Sequence, residues 1–300
     1  MAVRDTSFVR LLKPQWMSDD VHPVSLLPSI MPALGAKLRS VDNTSRWVFQ
    51  RLGDERGGHV GLWFVTRHDV LAGLSLWLTE IAERGRLTID TVRQVNPIEY
   101  FGEDPEIPIA LAEASSELAL GLIDYAALRA DTRLLVSMHQ LHHMMSLLRG
   151  DQAAFLFHCW QNWSRAFSPL ERVGLVQAAN CWAPGPVIAK SPHGYWQRYE
   201  LRLREIAESR SLAGHILLED AWKTHNRLDA DAQTQALAAL LLRRVLLMRD
   251  PSLTPRAFCA CRSEQAEPMA AGQGIPRQEA AGRRSAAGRG RLLNKSVARD

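Results

Sequence analysis

The feature that most narrows the possible folds is a pair of short aromatic and β-branched runs flanking a glycine-rich turn. Arg46–Leu52 reads RWVFQRL, Gly53–Gly58 reads GDERGG, and His59–Thr66 reads HVGLWFVT. Runs of this length and composition suit strands, and the turn between them closes an antiparallel hairpin. Side chains alternate across a strand, so Val60, Leu62 and Phe64 face a core while His59, Gly61 and Trp63 face the other way. Asp69 is placed to cap a helix running to about Arg84, with Leu71, Leu74, Leu78 and Ile81 on one side. Arg86–Val95 reads as a third strand that stops at Asn96-Pro97.

The remaining signals are helical. Pro23–Leu38 carries apolar residues at helical spacing, interrupted by Pro28 and Pro32. Helices are expected over Ile107–Leu128, Thr132–Leu148, Gln152–Phe167, from Ser168-Pro169 into Asn180, and over Trp196–Ser209 and Ala232–Met248, with a loop from Ala183 to Gly194. Strands early and helices late predict an α+β fold, in which a small antiparallel sheet from the N-terminal half packs with a mostly helical C-terminal half.

Composition sets the broad class. A 300-residue chain with 46% hydrophobic and 23% charged residues is not a wholly disordered one. It has no apolar run of about 18 residues to span a membrane, and MAVRDTSFVRLLKPQW has no secretory core. Cys159, Cys181, Cys259 and Cys261 make no disulfide framework for this length, so a cytoplasmic protein is expected. The net charge of +4 is misleading, because residues 251–300 hold nine Lys/Arg against four Asp/Glu. That leaves 27 basic and 28 acidic groups in the first 250 residues, not the footprint of a nucleic-acid binder. A single domain over 1–261 and a basic, Ala/Gly/Arg/Pro-rich disordered tail over 262–300 are expected.

Common catalytic signatures are absent: GxxxxGK[ST], GxGxxG after a strand, GxSxG and HExxH do not occur. His139, His142 and His143 share helical faces, but no carboxylate or cysteine nearby in sequence completes a metal shell. They read as polar residues on a solvated or interface face, and no metal is expected. Cys259 and Cys261 likewise lack a second ligand pair. Trp160 and Trp163 read as a core or interface seam, with a groove for an aromatic or peptide ligand as the alternative.

Two stretches carry a resemblance. RWVFQRLGDERGGHVGLWFV over 46–65 is followed by a helix and then by VRQVNPIEYFGEDPEIPIALAEASSELALGLI over 92–123. This resembles the C-terminal domain of class I lantibiotic dehydratases, which also occurs alone among thiopeptide biosynthesis proteins. In that family an aromatic strand ending in Arg-Tyr precedes a strand reading His-Leu-Arg-Leu-Arg. A helix and a further strand then lead to Glu-Arg-Tyr-Gly-Gly. Here VFQRL, HVGLW and EYFGE take those places in the same order, preceded by HPVSLLPSIMPALGAKL as the leading helix.

The departures matter as much. The family's domain eliminates glutamate from glutamylated Ser or Thr, and arginines grip the glutamyl carboxylates. Its strand arginines fall on Gly61 and Trp63, and its Glu-Arg-Tyr arginine falls on Tyr100. A late His-x-Asn-Arg motif aligns with LLLRRVLL, which has no histidine, or imperfectly with Thr224-His225-Asn226-Arg227. Neutral and aromatic groups thus replace cations. The chain is in this respect more similar to the thiopeptide pyridine synthases, which join two dehydroalanines of an azole-bearing peptide in a formal aza-[4+2] cycloaddition. Loss of water and of the leader peptide completes the pyridine.

That resemblance implies His59, Tyr100 and Glu99 for proton transfer, Trp63 as a stacking wall and Arg51 for the peptide backbone, with no cofactor. The implied partners are a ribosomally made precursor peptide and other maturation enzymes, and neither nucleic acid nor membrane. Each residue also has an ordinary reading: His59 as a solvated turn residue, Tyr100 as a packing tyrosine, Glu99 as a surface carboxylate. Two rival functions stay open. One is a standalone glutamate-elimination domain of a split dehydratase, gripping its substrate with Arg51, Arg67 and Arg93. The other is a non-catalytic scaffold that binds the precursor peptide. A chance likeness in an unrelated α+β domain is a third alternative.

Overall fold

The computed structural model describes residues 4–12, 23–54, 57–83, 88–126, 130–148, 150–182, 194–209 and 212–249. Cys259, Cys261, the tail over 262–300 and most of the expected loop from Ala183 lie outside the described residues. The fold is α+β, an antiparallel sheet followed by a mostly helical half. Among the described residues the elements begin with β1 (Arg4–Leu12), α1 (Leu27–Val41), β2 (Arg46–Asp54), β3 (Gly57–Arg67), α2 (His68–Glu83), β4 (Thr88–Val95) and the short α3 (Pro97–Phe101). The helical half follows as α4 (Glu106–Ala126), α5 (Ala130–Met145), α6 (Gln152–Trp163), α7 (Pro169–Cys181), α8 (Gly194–Ser209), α9 (Gly214–Arg227) and α10 (Ala232–Arg249). No described helix is long and apolar enough to cross a membrane.

The strand order is β2-β3-β1-β4, antiparallel throughout. The expected hairpin is β2–β3, in register from Arg46 opposite Val65 to Asp54 opposite Gly57, so the strands run further into the glycine-rich segment than the sequence suggests. Besides the short α3, two elements escape the sequence reading. The first is β1, a central strand paired on both sides. Its RDTSFVRLL mixes Asp5 and Arg10 with the apolar residues and hides their alternation. The second is α9, whose inward face carries buried Asp220, Thr224, His225 and Arg227 in place of an apolar stripe. Asp69 falls in the first turn of α2, one residue inside the helix, and its carboxylate accepts from Arg67 at 2.7 Å.

Both faces of the sheet are covered. Val60, Leu62 and Phe64 face the main core with Val9, Leu11 and Phe49, under α1 and α2. The opposite face packs a second cluster of Phe8, Val48, Trp63, Val65, Phe101, Ile109 and Ala112. Helix α4 belongs to both, sending Leu111, Ala114 and Leu118 to the first and Ile109 and Ala112 to the second. It runs along β2, the edge strand, where the Phe49 N–H donates to the Ser116 hydroxyl at 3.2 Å. An edge strand with unpaired backbone groups is a liability, and here helices take up those groups.

Candidate functional site

The second face of the sheet holds the residues singled out by sequence. On β3, His59, Gly61 and Trp63 all point to it, as their alternation predicts. Phe8 comes from β1, and Tyr100 comes from α3, whose start is set by the Asn96 side chain accepting from the Ile98 N–H at 3.1 Å. The rings of Phe8 and Trp63 lie 5.0 Å apart, Trp63 and Tyr100 5.4 Å, and Phe8 and Tyr100 6.3 Å with their planes only 9° apart. Edge and offset contacts at these distances are favourable aromatic geometries. Trp63 is 7% exposed and Phe8 8%, so Trp63 lies beneath Tyr100 as support and is not an open wall.

The close packing reaches to Gly61. A Cβ placed there would lie 2.8 Å from Phe8, 2.8 Å from Trp63 and 2.9 Å from Leu52. The space that an arginine needs in the family's pattern is filled by three side chains. Gly61→Ala should therefore destabilise the chain by about 1–3 kcal/mol, the usual cost of overpacking. Urea unfolding measures it, and an unchanged midpoint would show that this face is loose.

Cations reach the rim of the cluster. The Arg93 guanidinium lies 5.5 Å over the Phe8 ring, and its Nη2 donates to the Tyr100 hydroxyl at 3.0 Å. That bond occupies a lone pair of the phenol and leaves its O–H to donate outward. From α9, the Lys223 ammonium donates to the Tyr100 carbonyl at 3.3 Å. Asn226 accepts from the Gln50 amide at 2.9 Å, and Gln50 is the register partner of Gly61.

Trp63 and Tyr100 are thus in contact, with exposed Glu99 next to Tyr100 in sequence. His59 is buried, not solvated, and lies four residues from Trp63, about 13 Å along the strand. Arg51 is opposite Val60, so it points to the other face of the sheet. There it pairs with Asp229 at 2.8 Å, and burial lowers its pKa against the pull of that carboxylate. Asp229 has a left-handed backbone at φ 61°, which Asp tolerates better than most residues. Of the other arginines, Arg67 is paired with Asp69 at 2.7 Å. The histidines of α5 serve as packing, with His139 5.6 Å and His143 5.4 Å from the Trp196 ring.

Behind the aromatic face lies a buried polar network that periodicity does not reveal. Arg227 is 1% exposed. Its Nε donates to the Phe49 carbonyl at 2.6 Å and its Nη1 to Ser115 Oγ at 2.9 Å. Ser115 in turn donates to Asp220 at 3.2 Å, and the Thr224 hydroxyl donates to the Asp220 carbonyl at 2.7 Å. Burial raises the Asp220 pKa and lowers that of Arg227 to about 10, each opposed by the other's charge. The signal in the sequence is Thr224-His225-Asn226-Arg227. Matching the family's His-x-Asn-Arg on Asn226 and Arg227 puts its histidine at buried Thr224.

No family model matches the sequence, and no curated protein sequence matches it. Among solved structures the fold is similar to that of a lantibiotic dehydratase. The structure in question is the crystal structure of the tRNA-dependent lantibiotic dehydratase MibB from Microbispora sp. 107891, at 16% identity and a TM-score of 0.51. The likeness covers 81% of this chain and 28% of that one, so the chain spans little more than a quarter of the dehydratase. At this identity the relation is one of fold.

Proposed function

We propose that the chain acts on a ribosomally made, azole-bearing peptide in thiopeptide maturation, as a cofactor-independent cyclase. It joins two dehydroalanines by a formal aza-[4+2] cycloaddition, and loss of water and of the leader peptide as an amide gives the pyridine. The supporting observation is the packing of Phe8, Trp63 and Leu52 over Gly61, which fills the place where a glutamate eliminase needs a cation. In this reading the peptide lies over Tyr100 on the rim of the second face. The Tyr100 O–H donates to the amide that tautomerises to its iminol and to the departing group, and Glu99 accepts the proton. Arg93 holds the phenol in place, and Trp63 supports it from beneath. Most of the acceleration comes from holding the two alkenes together.

The test is a mass-spectrometric assay with a leader-bearing thiazole peptide containing two dehydroalanines, and a second peptide carrying glutamylated serine. Release of leader amide with a cyclised core is expected from the first. Tyr100→Phe should slow it by about 100-fold or more, the usual size of general acid catalysis. Glutamate release from the second peptide alone would overturn the reading in favour of elimination. A second reading, a scaffold that presents the precursor peptide, is favoured by the burial of Phe8 and Trp63, and predicts binding with no change in peptide mass.

A further inference from the structure

We propose that a cleft between α1, α4 and α8 binds an acidic peptide segment, its carboxylates on the arginines of the rim and its apolar side chains on an aromatic floor. The cleft has a volume of about 400 Å³ and is floored by Met31, Trp47, Leu118 and Tyr195. Its charged lining is Arg39, Arg198 and Arg202 against Glu117. It continues into a second hollow of about 340 Å³ that shares Arg39, Glu117 and Arg202 and adds Arg46 and Glu113. The joint lining therefore holds four arginines and two glutamates, a net of +2. The first 250 residues carry 27 basic and 28 acidic groups, so this excess is local.

The cations are held in place from below. Glu113 is 3% exposed and sits 2.6 Å from Arg46, 3.5 Å from Arg202 and 3.7 Å from Arg39. One buried carboxylate so gathers three guanidinium groups where the two hollows meet, with Arg39 also paired with Glu117 at 3.2 Å and Arg202 with Glu205 at 2.8 Å. Arg198 makes no ion pair among the described residues and lies 4.8 Å over the ring of Tyr195. Tyr195 lies flat because Gly121 on α4 has no side chain, and a Cβ there would overlap the ring. The Trp47 indole N–H is buried against Gly35 of α1, so the floor is apolar. Tyr195, Arg39 and Arg198 are exposed, so the cleft is open along its length, which suits an extended chain. The embedded glutamates count against a phosphate backbone. The cleft shares no residue with the Tyr100 site, and the inference is independent of the reaction proposed there.

Fluorescence anisotropy with the full chain tests it. The probes are a short labelled peptide of alternating leucine and glutamate, its leucine–glutamine and leucine–lysine counterparts, and a single-stranded oligonucleotide. The glutamate peptide should bind about ten-fold or more tightly than the others, with affinity that falls as salt is added. Arg198→Glu should weaken it by about ten-fold or more. Arg204→Glu, exposed on the same helix but outside the cleft, should leave it unchanged. Equal binding of the glutamine peptide or of the oligonucleotide, or full affinity in a folded Arg198→Glu chain, would overturn the proposal.

Discussion

Replacing Arg227 with alanine should lower the free energy of unfolding by about 3–5 kcal/mol, the range for removing one member of a buried charged network. The guanidinium is inaccessible to water and joins three elements. It donates to the Phe49 carbonyl on β2 at 2.6 Å and to Ser115 on α4 at 2.9 Å, and it faces Asp220 on its own helix α9. Truncation leaves the buried Asp220 carboxyl with hydroxyl partners only, and leaves the Phe49 carbonyl without its donor. Both groups then carry their desolvation cost uncompensated. Its pKa of about 10 keeps Arg227 charged at neutral pH, and that charge opposes the burial that raises the Asp220 pKa. The double variant Arg227→Met with Asp220→Leu should regain most of the loss, because charge and counter-charge leave together. Urea unfolding of the three proteins decides it. An Arg227→Ala chain within about 1 kcal/mol of the parent would mean that water or rearrangement already serves these groups.

The same network shows where sequence reasoning stops. The hairpin, the direction of each β3 side chain and most of the helices follow from periodicity, because in those elements polarity and burial coincide. Helix α9 breaks the coincidence: Asp220, Thr224 and Arg227 are polar and buried, and while Thr224 bonds within the helix, Asp220 and Arg227 are satisfied by Ser115 and Phe49 on distant elements. No local pattern encodes such partners. Strand β1 fails the reading for a related reason, since Arg10 and Asp5 interrupt the apolar alternation of a strand buried on both faces. At the candidate site, the family resemblance marked Gly61, Trp63 and Tyr100 as departures from a cationic pattern. It did not reveal Phe8, which completes the cluster from β1, nor that Arg51 turns to the opposite face and pairs with Asp229. Register decides both, and register is a property of the folded sheet.

Acidification should destabilise the chain through His225, one residue from Asn226 and two from Arg227. The ring is fully buried, edge-on to Trp163 at 5.1 Å, and burial lowers its pKa from 6.5 to about 4. The sign follows from linkage. Between these values the unfolded chain takes up a proton that the folded chain refuses, so stability is complete above about pH 6.5 and falls as the pH drops toward about 4. A shift of this size corresponds to about 3 kcal/mol, at about 1.4 kcal/mol per unit. Burial lowers the pKa values of His139 and His143 as well, which adds to the same trend. Subtracting the pH profile of His225→Phe from that of the parent isolates the one residue. The parent should lose about 3 kcal/mol more than the variant between pH 7 and pH 4. Parallel profiles would mean that the buried ring finds a proton partner and does not resist protonation. Because α9 also supplies Lys223 and Asn226 to the face that carries Tyr100, the same acid range should loosen the candidate site. An activity loss there that follows the unfolding curve, and is relieved in His225→Phe, would belong to the helix and not to the proton-transfer groups.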